Sequence, residues 1–116
     1  MVKKILIVDD DLNDLETMKI VLQKEKYEIE TADNGADALD IISADKPDAI
    51  LIDIKMPTLS GYDLLRLLRE RLNHKVKMIY VSIVPKTDVD LGDIDGFVQK
   101  PFMPAKLISE VKRVLK

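Results

Sequence analysis

The sequence predicts an α/β domain, a doubly wound five-stranded parallel sheet with helices on both faces. Three observations predict it. Short apolar runs and stretches with helical spacing alternate about five times along the chain. Two of the runs, Ile5–Val8 and Ala49–Ile52, are apolar at every position, as strands covered on both faces are. The runs also end in charged or hydroxyl residues, where an open parallel sheet places its ligands. At 116 residues the chain can bury one core and not two, so residues 1–116 are read as a single domain.

Each element has its own signal. Ile5–Val8 is the first strand and runs straight into Asp9, Asp10 and Asp11. Leu12, Leu15, Met18, Val21 and Leu22 recur at helical spacing to about Lys24, with Asp11 as N-cap and Asp14 three residues on. Residues Tyr27 to Ala32 alternate like a strand with one polar side. Asn34 is placed to cap a helix carrying Ala38, Leu39 and Ile42, which ends before Pro47. The strand Ala49–Ile52 follows and stops at Asp53. Pro57 and Gly61 bracket the next turn, and Ser60 with Asp63 reads as a capping pair for a helix to Leu72. Lys77–Ser82 is a fourth strand and Gly96–Gln99 a short fifth. Pro104 opens a last helix that turns Leu107, Ile108, Val111, Val114 and Leu115 inward.

The connection from Ile83 to Asp95 is the weak element. It is close to the dozen residues that a parallel crossover needs, and turns at both ends leave about two helical turns at most. Pro85, Gly92 and the aspartates at 88, 90, 93 and 95 are poor helix material. Val84, Val89, Leu91 and Ile94 can dock the segment, although their spacing is not that of a stable amphipathic helix. A fourth helix that is short, irregular or mobile is expected there.

Composition excludes several classes of function. There is no cysteine, hence no disulfide and no thiolate metal site. A formal charge of −3 argues against direct contact with nucleic acid, which calls for a basic patch. No stretch is long and apolar enough to cross a bilayer, and Ile5–Val8 is too short for a signal peptide. A cytoplasmic protein without membrane partners is expected.

At the carboxyl ends of the strands stand Asp9 and Asp10, Asp53, Ser82 and Lys100. Taken singly, Asp53 is a solvated acid, Ser82 a strand-end hydroxyl and Lys100 a surface lysine. A parallel sheet brings all of them to one edge. Three clustered carboxylates resist ionisation unless a cation compensates, and Mg²⁺ prefers a few carboxylates and waters to a full protein cage. Lys100 adds a compact positive charge suited to a phosphate oxygen. Carboxylate, Mg²⁺, hydroxyl and ammonium together make a site for phosphoryl transfer, with an aspartate as nucleophile.

In these residues the chain resembles the receiver domains of two-component response regulators. The resemblance rests on Ile5–Asp10, on Ile52–Pro57 with Gly61, on Val81-Ser82 and on Lys100-Pro101-Phe102, and covers nearly the whole chain. It implies a flavodoxin-like (βα)5 fold and a stand-alone domain like the chemotaxis regulators. It also implies that Asp53 is the phosphoacceptor, that Asp10, Asp53 and the backbone carbonyl of Lys55 hold Mg²⁺, and that Asp9 reaches the metal through water. Ser82 would be the switch hydroxyl, Lys100 the lysine that pairs with the phosphoryl group, and Phe97 the switch aromatic. A core aromatic is an equally good reading of Phe97. A cis Lys100–Pro101 bond is implied as well.

Two features depart from the family. Ile83 stands where a small residue usually follows the switch hydroxyl, and the span from Ser82 to Lys100 is short. Ile83 is expected to crowd the approach to Asp53.

The partners so implied are a sensor histidine kinase or phosphotransfer protein as donor and a downstream effector protein as target. His74, the sole histidine, lies before the fourth strand, away from the site, so the donor is expected to be external. With no effector domain read after Lys116, output by protein contact or onward phosphotransfer is expected, unless the chain is an excised fragment of a longer protein. Other readings fit less well. A phosphohydrolase resembling the haloacid dehalogenases would carry Asp-x-Asp and a cap domain, whereas Asp9 and Asp10 are adjacent and there is no room for a cap. A nucleotide or flavin binder needs a Gly- or Ser/Thr-rich loop after the first strand, and three aspartates there repel phosphate. A degenerate receiver, acting only as an interaction module, would not keep the acidic pocket intact.

Overall fold

In the computed structural model, which describes residues 2–72, 76–92 and 94–116, the strands are β1 (Lys4–Val8), β2 (Glu28–Ala32), β3 (Ala49–Ile52), β4 (Lys77–Ser82) and β5 (Gly96–Gln99). They form one parallel sheet in the order β2-β1-β3-β4-β5. The helices are α1 (Leu12–Gln23), α2 (Gly35–Ala44), α3 (Gly61–Arg71) and α4 (Pro104–Leu115).

Both faces of the sheet are covered, which is why the central strands read as unbroken apolar runs. Alternate strand residues serve opposite cores. Leu6, Val8, Ile50, Ile52, Met78 and Tyr80 belong to the core that includes Ala38 and Ile42 of α2 and Leu64, Leu65 and Leu68 of α3. Ile5, Ile7, Leu51, Ile79, Val81 and Val98 belong to the other, with Leu15, Met18 and Leu22 of α1 and Leu107, Val111 and Val114 of α4.

The helix starts follow from their caps. Asp11 accepts from the N–H groups of Asn13 at 2.9 Å and Asp14 at 3.1 Å, Asn34 from Asp37 at 2.8 Å, and Ser60 from Asp63 at 3.2 Å. Pro104 occupies the first turn of α4, where its missing N–H costs nothing.

Three sequence expectations are corrected. Leu12, assigned to the inward face of α1, is 66% exposed, because the first residue of the helix lies beyond the apolar strand positions that Leu15 and Met18 cover. Tyr27 lies before β2, next to Lys26 in the left-handed region (φ 71°), so the chain is still turning there. Ile108 and Leu115 are only half-buried, at the margin of the core they pack against. His74 lies outside the described residues.

The helix expected between β4 and β5 is reduced to a single 3₁₀ turn, Lys86–Asp88, as the composition of that connection predicts. Val89 is buried, Val84 and Ile94 pack against the core, and Leu91 is 37% exposed. Among the described residues no helix is long and apolar enough to cross a membrane.

Candidate functional site

The sheet's hydrogen-bond ladder continues one residue past the strands, and that fixes the backbone of the site. Asp9 N–H donates to Ala32 at 3.1 Å, Asp53 N–H to Val8 at 2.9 Å, and Lys100 N–H to Ser82 at 2.8 Å. The three residues therefore start from set positions on one edge. Gly61 holds the loop after Asp53 close: its N–H donates to the Ile54 carbonyl at 2.8 Å. A Cβ on Gly61 would sit 2.3 Å from the carbonyl oxygen of Asp53, so no larger residue fits without moving that loop.

Carboxylate oxygens of Asp9, Asp10 and Asp53 come within 4.8 Å of one another. Asp9 and Asp53 are buried and Asp10 is exposed at the rim. Lys100, also buried, donates from Nζ to Asp9 Oδ2 at 2.7 Å and stands 3.9 Å from Asp53 Oδ2. Asp9 Oδ1 accepts from the N–H of Asp11 at 2.9 Å, so both its oxygens are engaged.

Burial works against charge here. It is the main cause that pushes Asp53 up to about 7 from 3.8, and the neighbouring charge of Asp9 adds to it. Lys100 pulls the other way, and Asp10, close enough to share a proton, raises Asp53 further. Asp9 is also raised, by burial first, against the lowering effect of Lys100. Burial lowers the Lys100 ammonium, but its hydrogen bonds to Asp9 and Asp14 outweigh that and the net direction is upward. A set of all-oxygen donors short of positive charge fits a hard divalent cation.

Ser82, fully buried at the end of β4, accepts at Oγ from the N–H of Val84 at 3.1 Å. Its own hydroxyl proton remains to be donated. Phe97 is half-buried on β5 opposite Tyr80 and packs with Val84 and Ile94 against the α2–α3 core. Lys55 is exposed, two residues beyond Asp53. The Lys100–Pro101 bond is cis. Ile83 is 58% exposed.

Asp14 and Gln99 make contacts at the site that their local sequence pattern does not show. Asp14 donates its N–H to the capping Asp11 at 3.1 Å, and its carboxylate also ion-pairs with Lys100 at 2.9 Å. Its position one helical turn after Asp10, on the side facing the strand ends, is the signal that could have found it. Gln99 Nε2 donates to the carbonyls of Ser82, Ile83 and Lys100 at 3.0–3.2 Å and ties the ends of β4 and β5 together.

Residues 5–112 match the family described as the response regulator receiver domain. Among curated proteins the chain is similar to the DNA-binding response regulator MtrA of Mycolicibacterium smegmatis, with 33% identity over 119 residues. The MtrA of Mycobacterium tuberculosis is 32% identical over the same length. In both matches all of this chain aligns with 52% of the relative, so it spans about half the length of the curated relatives it matches. Among solved structures it is similar to the response regulator TrrA of Thermotoga maritima in complex with Mg²⁺-BeF, with a TM-score of 0.89 and 34% identity over 97% of this chain and 99% of that one. A CheY-like receiver domain from Methylobacillus flagellatus has the same TM-score at 28% identity, covering 100% of both chains.

Proposed function

The chain belongs to the response regulator receiver domain family of two-component signalling, and from that premise we propose that Asp53 is its phosphoacceptor. The observation that carries the proposal is the position of Asp53. Its buried carboxyl lies at the end of the central strand, 3.9 Å from Lys100 and within 4.8 Å of carboxylate oxygens of Asp9 and Asp10. An oxygen of Asp53 attacks the phosphorus of a phosphohistidine on a sensor kinase or phosphotransfer protein. The P–N bond breaks, its electron pair stays on the imidazole, and an acyl phosphate forms on Asp53.

Asp10, Asp53 and the backbone carbonyl of Lys55 would hold Mg²⁺, with Asp9 reaching it through water. When bound, the ion supplies the positive charge that favours ionised Asp53 and offsets the phosphoryl oxygens. Support for this comes from the all-oxygen donor set and from the Mg²⁺-BeF complex of the similar TrrA protein. The Lys100 ammonium pairs with one phosphoryl oxygen, and Ser82 turns its free hydroxyl proton to another. Ser82 then gives up the bond from Val84, and Val84 and Phe97 pack against the same core, through which the movement would reach the aromatic side chain. Coupling of this kind is worth about 1–3 kcal/mol.

The domain is thus a switch that catalyses its own phosphorylation and dephosphorylation and acts on no external substrate. We assign its output to contact with a downstream effector protein in the cytoplasm. DNA binding is a property named for the MtrA proteins, about half of whose length this chain spans. A formal charge of −3 favours a protein partner over nucleic acid for the domain itself.

The test is incubation with acetyl phosphate and Mg²⁺ followed by intact mass. The wild type should gain one phosphoryl group and Asp53→Asn none. Stable, undiminished labelling of the variant would place the acceptor elsewhere.

A further inference from the structure

We propose that Asp14 is a positioning residue for Lys100, a carboxylate that holds the ammonium in a resting place and competes with the phosphoryl group for it. The inference rests on Asp53 being the phosphoacceptor. Lys100 Nζ lies 2.7 Å from Asp9 and 2.9 Å from Asp14, both hydrogen-bonding distances, and 3.9 Å from Asp53, which is beyond one. The resting ammonium is therefore bound to two carboxylates, neither of which receives the phosphoryl group.

The two are not equivalent. Asp9 is fully buried and its second oxygen is fixed by the N–H of Asp11. The Asp14 side chain is 39% exposed, and apart from Lys100 its fixed point is its backbone, held by the Asp11 cap. A half-exposed carboxylate can exchange a lysine for water at small cost, whereas a buried one cannot. Asp14 is thus the contact that can let go. The phosphoryl group offers Lys100 about −1.5 to −2 of charge against −1 from Asp14, so phosphorylation can draw the ammonium away. Until then Asp14 weakens the grip of Lys100 on anything bound at Asp53.

Beryllofluoride with Mg²⁺, a stable mimic of the phosphoryl group, measures that grip directly by ¹⁹F NMR titration. Asp14→Asn keeps the shape and removes the charge, and should bind beryllofluoride roughly fivefold more tightly, the scale of one half-exposed charge-assisted contact. Asp14→Glu should return affinity towards that of the wild type. In a Lys100→Met background the effect of Asp14→Asn should fall below about twofold, because the lysine carries it. If Lys100→Met binds too weakly to titrate, the same comparison is made on the rate of labelling by acetyl phosphate.

Unchanged or weaker binding by Asp14→Asn overturns the proposal. So does an effect of equal size without Lys100, since Asp14 would then act only through its field. A wild type that takes up no beryllofluoride brings down the phosphoacceptor reading as well, whereas wild-type binding with an inert Asp14→Asn brings down this inference alone.

Discussion

Asp53→Asn should make the metal-free protein more stable, and the site's electrostatics set how much. Asp53 is held near 7 from 3.8, by burial first and then by the charge of Asp9. Below pH about 4 the carboxyl is protonated in both the folded and the unfolded chain and contributes nothing. Between there and pH 7 the folded state keeps a proton that the unfolded chain releases. By linkage, stability then falls as pH rises, and above 7 the loss is complete. At ~1.36 kcal/mol per unit the upper bound is about 4 kcal/mol, and relaxation of the site leaves of the order of 2 kcal/mol. That is a large share of the roughly 5–15 kcal/mol by which a domain is stable. Asn has nearly the same shape and no charge to bury. Urea unfolding in EDTA at pH 8 should show Asp53→Asn with a midpoint about 1 M higher and an unchanged slope. At pH 5 the advantage should shrink by more than half. A variant no more stable than the wild type at pH 8, or equally favoured at both pH values, would refute the reasoning.

Mg²⁺ should raise the melting temperature of the wild type by binding the native state preferentially, and Asp10→Ala should abolish that rise; an equal rise in the variant would move the metal elsewhere. Gly61→Ala should cost about 2 kcal/mol or more in chemical unfolding and slow labelling of Asp53, because the added Cβ lands 2.3 Å from the Asp53 carbonyl oxygen. Ile83→Ala, at a 58% exposed side chain, should change stability by less than about 0.5 kcal/mol yet speed labelling by acetyl phosphate or loss of the phosphoryl group. Unchanged rates would show that Ile83 does not crowd the mouth of the site.

The parts of this site that sequence could supply are those set by strand geometry. Asp9, Asp53, Ser82 and Lys100 each stand at or just past the end of an apolar run, and a parallel sheet sends all such ends to one edge. Residue type at a strand end was then enough to suggest the chemistry. Asp14 shows where that reasoning stops. A carboxylate in the first turn of a helix has an ordinary local role, and only the path of Lys100 across the sheet gives it another. Gln99 was silent for the same reason: three carbonyls meet at its amide because two loops from different strands approach each other. Leu12 fails in the opposite sense. Its apolar spacing is right, but the helix begins beyond the strand positions it would cover, and periodicity carries no information about where the sheet ends.

The segment between β4 and β5 raises a physical question, since a helix there would cover the sheet beside α3. Without one, Tyr80 on the central part of β4 should be open to water, yet it is 1% exposed. Side chains replace the missing helix. Tyr62 of α3 packs edge-on against Tyr80, with ring centres 5.5 Å apart and planes at 83°, and its hydroxyl accepts from the N–H of Asp90 at 3.4 Å. Val89 is buried against the same core, and Arg69 reaches across from α3 to the Val76 carbonyl at 3.1 Å and to Asp95 at 3.0 Å. Asp95 in turn accepts from the N–H of Met78 at 2.9 Å, which fixes the entry to β5. What remains is an open groove of about 670 Å³ between α3 and the connection, lined by Tyr62, Arg66, Asp88 and Asp90. A single 3₁₀ turn can therefore stand in for a helix here, because Tyr62 packs against Tyr80, Val89 is buried in the same core and Arg69 ties α3 to the entries of β4 and β5.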